Sequence, residues 1–143
     1  MLVRCLYTSH VAEPMSPALL AGILEQSRVN NPPRGITGLL CHTSEVFAQV
    51  LEGGRAEVSE LLGRLMRDTR HRNVTLLVYE EIKERSFAGW SMGQVNVDAV
   101  NPGLLLRYSN RPKFDPEAGS GESAMSLLLE LIATGAIGCQ AKR

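Results

Sequence analysis

The sequence predicts an α+β fold, a ferredoxin-like sandwich with elements in the order βαββαββ. Three observations support this prediction: five segments have the alternating or β-branched pattern of strands, two have the apolar spacing of amphipathic helices, and glycine or proline separates several of them. Short crossovers place the two helices on one sheet face. The other face would be apolar and exposed, so we expect a C-terminal helical extension to cover it.

The first two elements are a strand and a helix. Residues 2–8 alternate between two sides, as a half-buried strand does. Ser16 precedes an apolar series with helical spacing that runs to about Val29, and its side chain can cap the first turn. Pro32 and Pro33 prevent the helix from continuing, because proline lacks a backbone donor and clashes with the preceding turn.

A hairpin and a second helix follow. Residues 36–42 and 46–51 have strand patterns and are separated by three turn residues, so they are expected to pair antiparallel. Gly53 and Gly54 end the hairpin. Apolar residues recur at helical spacing over residues 58–66, which predicts an amphipathic helix on the same sheet face as the first.

Two further strands complete the predicted sheet. Residues 74–78 are β-branched and apolar. A last strand is predicted at residues 90–97, where Trp90, Met92 and Gln94 would share one face. We place the end of the compact domain after this strand.

We divide the chain into a domain at residues 1–97 and a C-terminal helical extension at residues 98–143. Residues 110–121 are rich in Pro, Gly and charge, and they precede an almost continuously apolar helix at residues 124–132. Such a helix must bury two sides, so it packs on the free sheet face or docks onto a second copy. A monomer and a homodimer both stay open. The apolar residues predicted for the free face include Leu6, Leu40, Val50 and Val95.

Composition and charge argue against several classes of function. Fifteen Lys and Arg balance fifteen Asp and Glu, so no net field attracts nucleic acid or an anionic membrane. The apolar start is too short for a signal peptide and no apolar run reaches bilayer length, which predicts a cytoplasmic protein. The three cysteines lack metal-ligand spacing and fit reduced thiols, and the three histidines are too scattered for a metal site.

Three polar residues lie where the pattern predicts the inner side of the sheet or its border with the first helix: Tyr7, Asn31 and Gln49. Buried polar groups need partners, and a hydroxyl with two amides matches the mixed edge of a heteroaromatic ring. A planar ligand between the helices would satisfy them. A purely structural network, in which Gln49 bonds to Tyr7, is the default interpretation when the pattern alone is considered.

A series of spaced blocks resembles the BLUF domain, a blue-light sensor that uses flavin. The blocks lie at residues 6–9, 27–31, 35–40, 47–53, 68–71 and 87–92. Several blocks in the right order are far more specific than any single motif. The resemblance covers about residues 1–97, and the remainder is similar to the C-terminal extension of short, stand-alone BLUF proteins, with no attached effector sequence.

The resemblance implies a role for each site residue. Tyr7 would donate an electron to the excited flavin, and Gln49 would rearrange between Tyr7 and the ring. Trp90 or Met92 would lie near Gln49, and which of the two points inward stays open. The other implied contacts are Ile23, Phe47 and Leu65 along the ring, Asn30 and Asn31 at its polar edge, and Asp68, Arg70 and His71 at the ribityl and phosphate end. Arg70 is the single arginine in this set.

The resemblance implies a photoreceptor rather than an enzyme. The cofactor would be oxidised FAD, held non-covalently, with FMN or riboflavin as alternatives. Light would rearrange the hydrogen bonds of Gln49, and the signal would pass to a partner protein in trans, with neither nucleic acid nor a membrane as partner. Two rivals remain: a small hydrolase or flavin-using enzyme on the same fold, and a ligand-free interaction module.

Overall fold

The computed structural model describes residues 1–12, 16–89 and 91–133. The strands are β1 (Leu2–Val11), β2 (Thr37–His42), β3 (Val46–Gly54), β4 (His71–Ile82) and β5 (Gly93–Asn96). The α-helices are α1 (Pro17–Asn30), α2 (Arg55–Arg67), α3 (Pro102–Tyr108) and α4 (Gly121–Ala133), and short 3-10 turns lie at Pro32–Arg34 and Val97–Ala99. The predicted α+β class and the order βαββαββ are confirmed.

The five strands form one mixed sheet in the order β4-β1-β3-β2-β5. The pairs β1–β3, β1–β4 and β2–β3 are antiparallel, whereas β5 runs parallel to β2. Because β1 and β3 are interior strands and are covered by helices on both faces, most of their residues are buried. Their register sets Tyr7 directly opposite Gln49.

The sheet separates two apolar clusters. Helices α1 and α2 pack on one face, where Ile23 of α1 and Val58 of α2 meet Tyr7 and its neighbours. The other face is covered by α3 and α4, which bury Leu105 and Leu128 against it. The C-terminal helix therefore covers the face that would otherwise be exposed, as predicted. The division of the chain at residue 97 stays a prediction.

One residue predicted for the α4 face is wrongly assigned. Leu40 belongs to the cluster under α1 and α2, and Leu39 takes the place predicted for it. The cause is the strand register: Leu40 pairs with Gln49, and Leu39 pairs with Val50. Residues directly opposite each other share a sheet face, so a one-residue error reverses the assignment.

The last strand is shorter than predicted. β5 covers only Gly93–Asn96, and its single ladder, with β2, begins at the pair Leu39 and Gly93. Met92 therefore precedes the strand instead of lying within it. It still shares the α1–α2 face with Gln94, as predicted, since Gln94 pairs with Leu40 and both Leu40 and Met92 belong to that cluster. Trp90 lies outside the described residues.

The start of α1 follows the prediction in detail. The Ser16 hydroxyl accepts a hydrogen bond from the backbone N–H of Leu19 at 3.1 Å, which caps the first turn. Within the described residues, no helix has the length and apolarity to cross a bilayer.

Candidate functional site

A cleft of about 140 Å³ lies between α1, α2 and the sheet. Apart from Phe47, every residue predicted to contact a flavin lines this cleft. These residues are Tyr7, Ile23, Asn30, Asn31, Gln49, Leu65, Asp68, Arg70 and His71. The fold thus brings together side chains from three strands (β1, β3 and the start of β4), from helices α1 and α2, and from the connections that follow these helices.

The inner end of the cleft is formed by Tyr7 and Gln49. The Tyr7 hydroxyl donates a hydrogen bond to Gln49 Oε1, and both side chains are almost completely buried. Burial raises the pKa of Tyr7 far above its usual value, with smaller contributions from Cys5 and Asp68. The phenol therefore keeps its proton at any physiological pH and acts as a hydrogen-bond donor to Gln49.

The Gln49 amide reaches Met92 at its other end. Gln49 Nε2 donates to Met92 Sδ at 3.2 Å, and the Met92 side chain is fully buried in the α1–α2 cluster. The sequence left open whether Trp90 or Met92 points towards Gln49, and the described residues place Met92 there. A role for Trp90 stays a prediction.

Asn31 is positioned by the way α1 ends. Its backbone N–H bonds to the Ser27 carbonyl at 2.9 Å, and its own carbonyl accepts from the N–H groups of Arg34 and Ile36. Gly35, at a φ of 68°, allows this reversal because a left-handed backbone suits glycine. The Asn31 side chain is 2% exposed at the cleft wall, which suits an amide that contacts a ligand edge rather than water.

Asp68 and Arg70 form an ion pair at the mouth of the cleft. Arg70 Nη2 lies 2.6 Å from Asp68 Oδ2 and also donates to Gln26 Oε1 at 2.6 Å. The hydrogen bond from Arg70 lowers the pKa of Asp68, and the same bond raises the pKa of Arg70. The pair is partly exposed, so its main effect is to fix the direction of the guanidinium.

Two further arginines line the cleft that the sequence analysis did not name. Arg64 Nη2 lies 2.6 Å from Glu60 Oε1, and Arg34 lies 3.9 Å from the same carboxylate oxygen. The signal for Arg64 was available, because Arg64 lies in the last turn of α2, just before the Asp68 and Arg70 pair. The other lining residues that were missed are Gln26, Ser27, Leu40 and Leu61.

His71 carries an unpartnered atom at the cleft. Its Nδ1 lies 2.8 Å from Ser9 Oγ, whereas its Nε2 is buried without a hydrogen-bond partner. Burial lowers the pKa of His71, partly opposed by Asp68, so the ring is neutral at neutral pH. If Ser9 donates to Nδ1, the proton sits on Nε2 and is available to a ligand oxygen.

Phe47 contacts His71 but does not line the cleft. Its ring packs against the imidazole, with 5.1 Å between ring centroids and 58° between planes. Phe47 is fully buried in the cluster behind the cleft. Its predicted contact with a flavin ring therefore has no support from the cleft lining.

The cleft side chains fit a flavin. Buried amides at the inner end offer donors and acceptors for a heteroaromatic edge, and Ile23 and Leu65 supply apolar walls. At the other end, His71 Nε2 lacks a partner that a ribityl or phosphate oxygen would provide. Among the described residues, no group of His, Cys, Asp or Glu side chains could hold a metal ion.

Comparison with known proteins finds relatives of this chain. The family model described as BLUF, sensors of blue-light using FAD, matches residues 2–93. Photoactivated adenylate cyclase subunit beta of Euglena gracilis is 33% identical over 92 residues, which are 64% of this chain but only 11% of that protein. The chain therefore spans a small part of that relative's length.

Two solved structures match nearly the whole chain. The structure described as the photo-activated state of BlsA is 31% identical with a TM-score of 0.82, and the match covers 100% of both chains. BlrB, described as a BLUF protein in its dark state, is 31% identical with a TM-score of 0.76 over 94% of this chain and 96% of the other. The similarity thus includes the C-terminal extension as well as the sheet.

Proposed function

Because the chain belongs to the BLUF family of blue-light sensors that use flavin, we propose that it binds an oxidised flavin non-covalently in the cleft and switches there. The observation that carries this proposal is the series of hydrogen bonds from Tyr7 to Gln49 to Met92. It joins a phenol that can release a proton, an amide with a donor end and an acceptor end, and a thioether that only accepts.

Tyr7 is the proposed electron donor. When bound, the oxidised flavin supplies absorption of blue light and, once excited, a strong oxidant. Tyr7 would give an electron to the excited flavin and its proton towards Gln49 Oε1, because its buried hydroxyl already donates to that oxygen. Return of both to Tyr7 leaves no net redox change, and only Gln49 is altered.

Gln49 is the proposed switch, and its hydrogen bond to Met92 depends on the orientation of its amide. In the present arrangement the amide N–H of Gln49 donates to Met92 Sδ. Rotation of the amide by half a turn would place the Gln49 oxygen against that sulfur, where neither atom can donate. The bond to Met92 therefore exists in one orientation and is lost in the other, which converts a local change into a change at the segment before β5.

FAD is the proposed cofactor, with FMN and riboflavin as the alternatives. Arg34, Arg64 and Arg70 all line the cleft, which supports a ligand that carries phosphate. Arg70 and Arg64 are already paired with Asp68 and Glu60, so a phosphate would compete with these carboxylates. Extraction of the bound flavin from purified protein, followed by chromatography, would distinguish the three.

We propose that the chain is not itself an enzyme and signals to a partner protein in trans, as a monomer or a homodimer, in the cytoplasm. The cyclase relative supports signalling to an effector, although this chain spans little of its length. Buried, unpaired Cys5 and Cys41 are compatible with a reducing compartment. The partner's identity is a question for capture experiments in light and dark.

The positions of Ser9 and His71 bear directly on the alternative that the protein is a hydrolase. Ser9 and His71 form a hydroxyl–imidazole pair, the arrangement that activates a nucleophile. Ser9, however, is completely buried and does not line the cleft, so no substrate reaches its hydroxyl. The ligand-free module is the other rival, and it predicts a colourless protein.

The absorption spectrum of purified protein tests the proposal. We expect a yellow protein whose flavin bands shift to longer wavelength under blue light and return in the dark. A colourless protein that does not take up added FAD, FMN or riboflavin would contradict the proposed function.

A further inference from the structure

Arg28 ties α1 to the segment before β5. Its Nε donates to the backbone carbonyl of Met92 at 3.2 Å. The Met92 side chain accepts from Gln49 Nε2, also at 3.2 Å. One residue is thus held at its backbone by α1 and at its side chain by β3.

A second set of hydrogen bonds holds the connection between β4 and β5 nearer its middle. The carboxylate of Glu52 is completely buried and accepts from the backbone N–H groups of Phe87 at 2.7 Å and Ser86 at 3.1 Å. Arg4 neutralises that carboxylate at 2.8 Å. The connection is therefore bound to β3 at residues 86–87 and to α1 at Met92.

The bond from Arg28 matters because Met92 lies outside the strand. The ladder between β5 and β2 begins at Gly93, so strand geometry does not fix the Met92 carbonyl. Arg28 is half-buried in the last turn of α1, and a charged donor makes a stronger bond to a carbonyl than a neutral one does. The side chain of Met92 can meet Gln49 only if its backbone stays in place.

We propose that Arg28 is a positioning residue that keeps the Met92 sulfur against Gln49 and thereby sets how fast the switched state returns. This inference rests on the proposed function. When Gln49 turns, its N–H leaves the Met92 sulfur, and Arg28 holds the Met92 backbone ready for the bond to re-form. Without Arg28, the segment relaxes away from Gln49 and must dock again before Gln49 returns.

The test is the rate at which the red-shifted spectrum decays after blue light is switched off. Arg28→Met keeps an apolar stem but removes the donor, and we expect the light-induced red shift to form while its decay slows about tenfold, the effect of one charged hydrogen bond. Arg72→Met is the matched control, because Arg72 Nη2 also donates to a backbone carbonyl, that of Val11, at 3.3 Å. The control should decay at the wild-type rate.

A second measurement separates positioning from stability. Arg28 also lies at the C-terminal end of α1, where a positive charge stabilises the helix dipole, so a lower melting temperature alone is uninformative. Hydrogen exchange in the dark should be faster at Gly93–Asn96 in Arg28→Met than in wild type. Arg28→Lys keeps a charged donor, so its exchange rate at these residues should lie between those of Arg28→Met and wild type.

The outcomes that overturn the inference are distinct from those that overturn the proposed function. A normal wild-type photocycle with an unchanged decay rate in Arg28→Met would overturn the role of Arg28 alone. If Arg28→Met folds poorly, Arg28→Ala takes its place, because it also lacks the donor and favours the helix, and a wild-type decay rate with wild-type exchange at β5 in that variant would overturn it. A wild-type protein that binds flavin without a red shift would overturn both.

Discussion

Gln49 is the residue at which the two hydrogen bonds of the site meet. Its oxygen accepts from Tyr7 and its nitrogen donates to Met92, so both ends of one amide are occupied inside a buried cluster. An amide is suited to this place because exchange of its two ends reverses donor and acceptor without a change in shape. No other side chain of similar size offers this.

Tyr7→Phe tests whether Tyr7 is the electron donor. The substitution preserves the ring and its packing but removes the hydroxyl, so we expect flavin to bind while the light-induced red shift is lost. The unfolding free energy should fall by about 1–3 kcal/mol, since the buried Gln49 oxygen loses its donor. The measurement is the absorption spectrum in the dark and under blue light, with denaturant unfolding beside it.

Tyr79→Phe is the matched control for Tyr7→Phe. Tyr79 lies on β4 and shares a hydrogen bond of 3.2 Å with Ser59 Oγ rather than with Gln49. Its removal should leave the red shift intact. A normal red shift in Tyr7→Phe would assign electron donation to another residue.

Tyr7 and Gln49 could be predicted from sequence because both lie within regular strands, where alternation fixes the face. Met92 could not, because its direction depends on a bend before β5 and on the bond from Arg28. Phe47 shows a related limit: alternation placed it on the correct face, but it packs against the His71 ring and does not line the cleft. Arg34 lies in a 3-10 turn after two prolines, for which no periodicity applies.

At the scale of elements, β5 is the strand with the fewest residues paired to a neighbouring strand. It has four residues and pairs on one side only, with β2. Such an edge segment opens more readily than a central strand, which makes it suited to a two-state response. It also directly follows Met92, so a change at the Gln49 bond reaches it first.

The C-terminal helix α4 is the second element expected to respond. Leu127, Leu128 and Leu131 are almost completely buried, in the same cluster as Val95 of β5. A shift of β5 therefore changes what α4 packs against. The apolarity of this helix was enough to predict that it covers the free sheet face. The finding that Leu39 rather than Leu40 lies on that face required the register of β2.

Hydrogen exchange in dark and lit protein tests this path. We expect amides of Gly93–Asn96 and Gly121–Ala133 to exchange at different rates in the two states, since their packing depends on the Met92 segment. Amides of Leu2–Val11 serve as the internal control and should change little, because β1 is paired on both sides. Equal exchange everywhere, with a normal red shift, would make α4 a passive cover.

At the scale of the whole molecule, the sheet separates two layers of helices and contacts both. Gln49 faces the cleft under α1 and α2, whereas its neighbours Ala48 and Val50 on β3 face α4. A ligand on one side can therefore influence a helix on the other through a single strand and its edge. Coupling of about 1–3 kcal/mol between the two sides would be in the usual range for linked sites.

The most direct test of this account is the light-minus-dark absorption spectrum of Gln49→Leu beside wild type. Gln94→Leu is the matched control, since Gln94 is a sheet glutamine whose amide meets His42 Nε2 at 3.1 Å and not Tyr7. We expect all three proteins to bind flavin, and wild type and Gln94→Leu to show a reversible red shift that Gln49→Leu lacks. A reversible red shift of wild-type size in Gln49→Leu would show that Gln49 is not the switch.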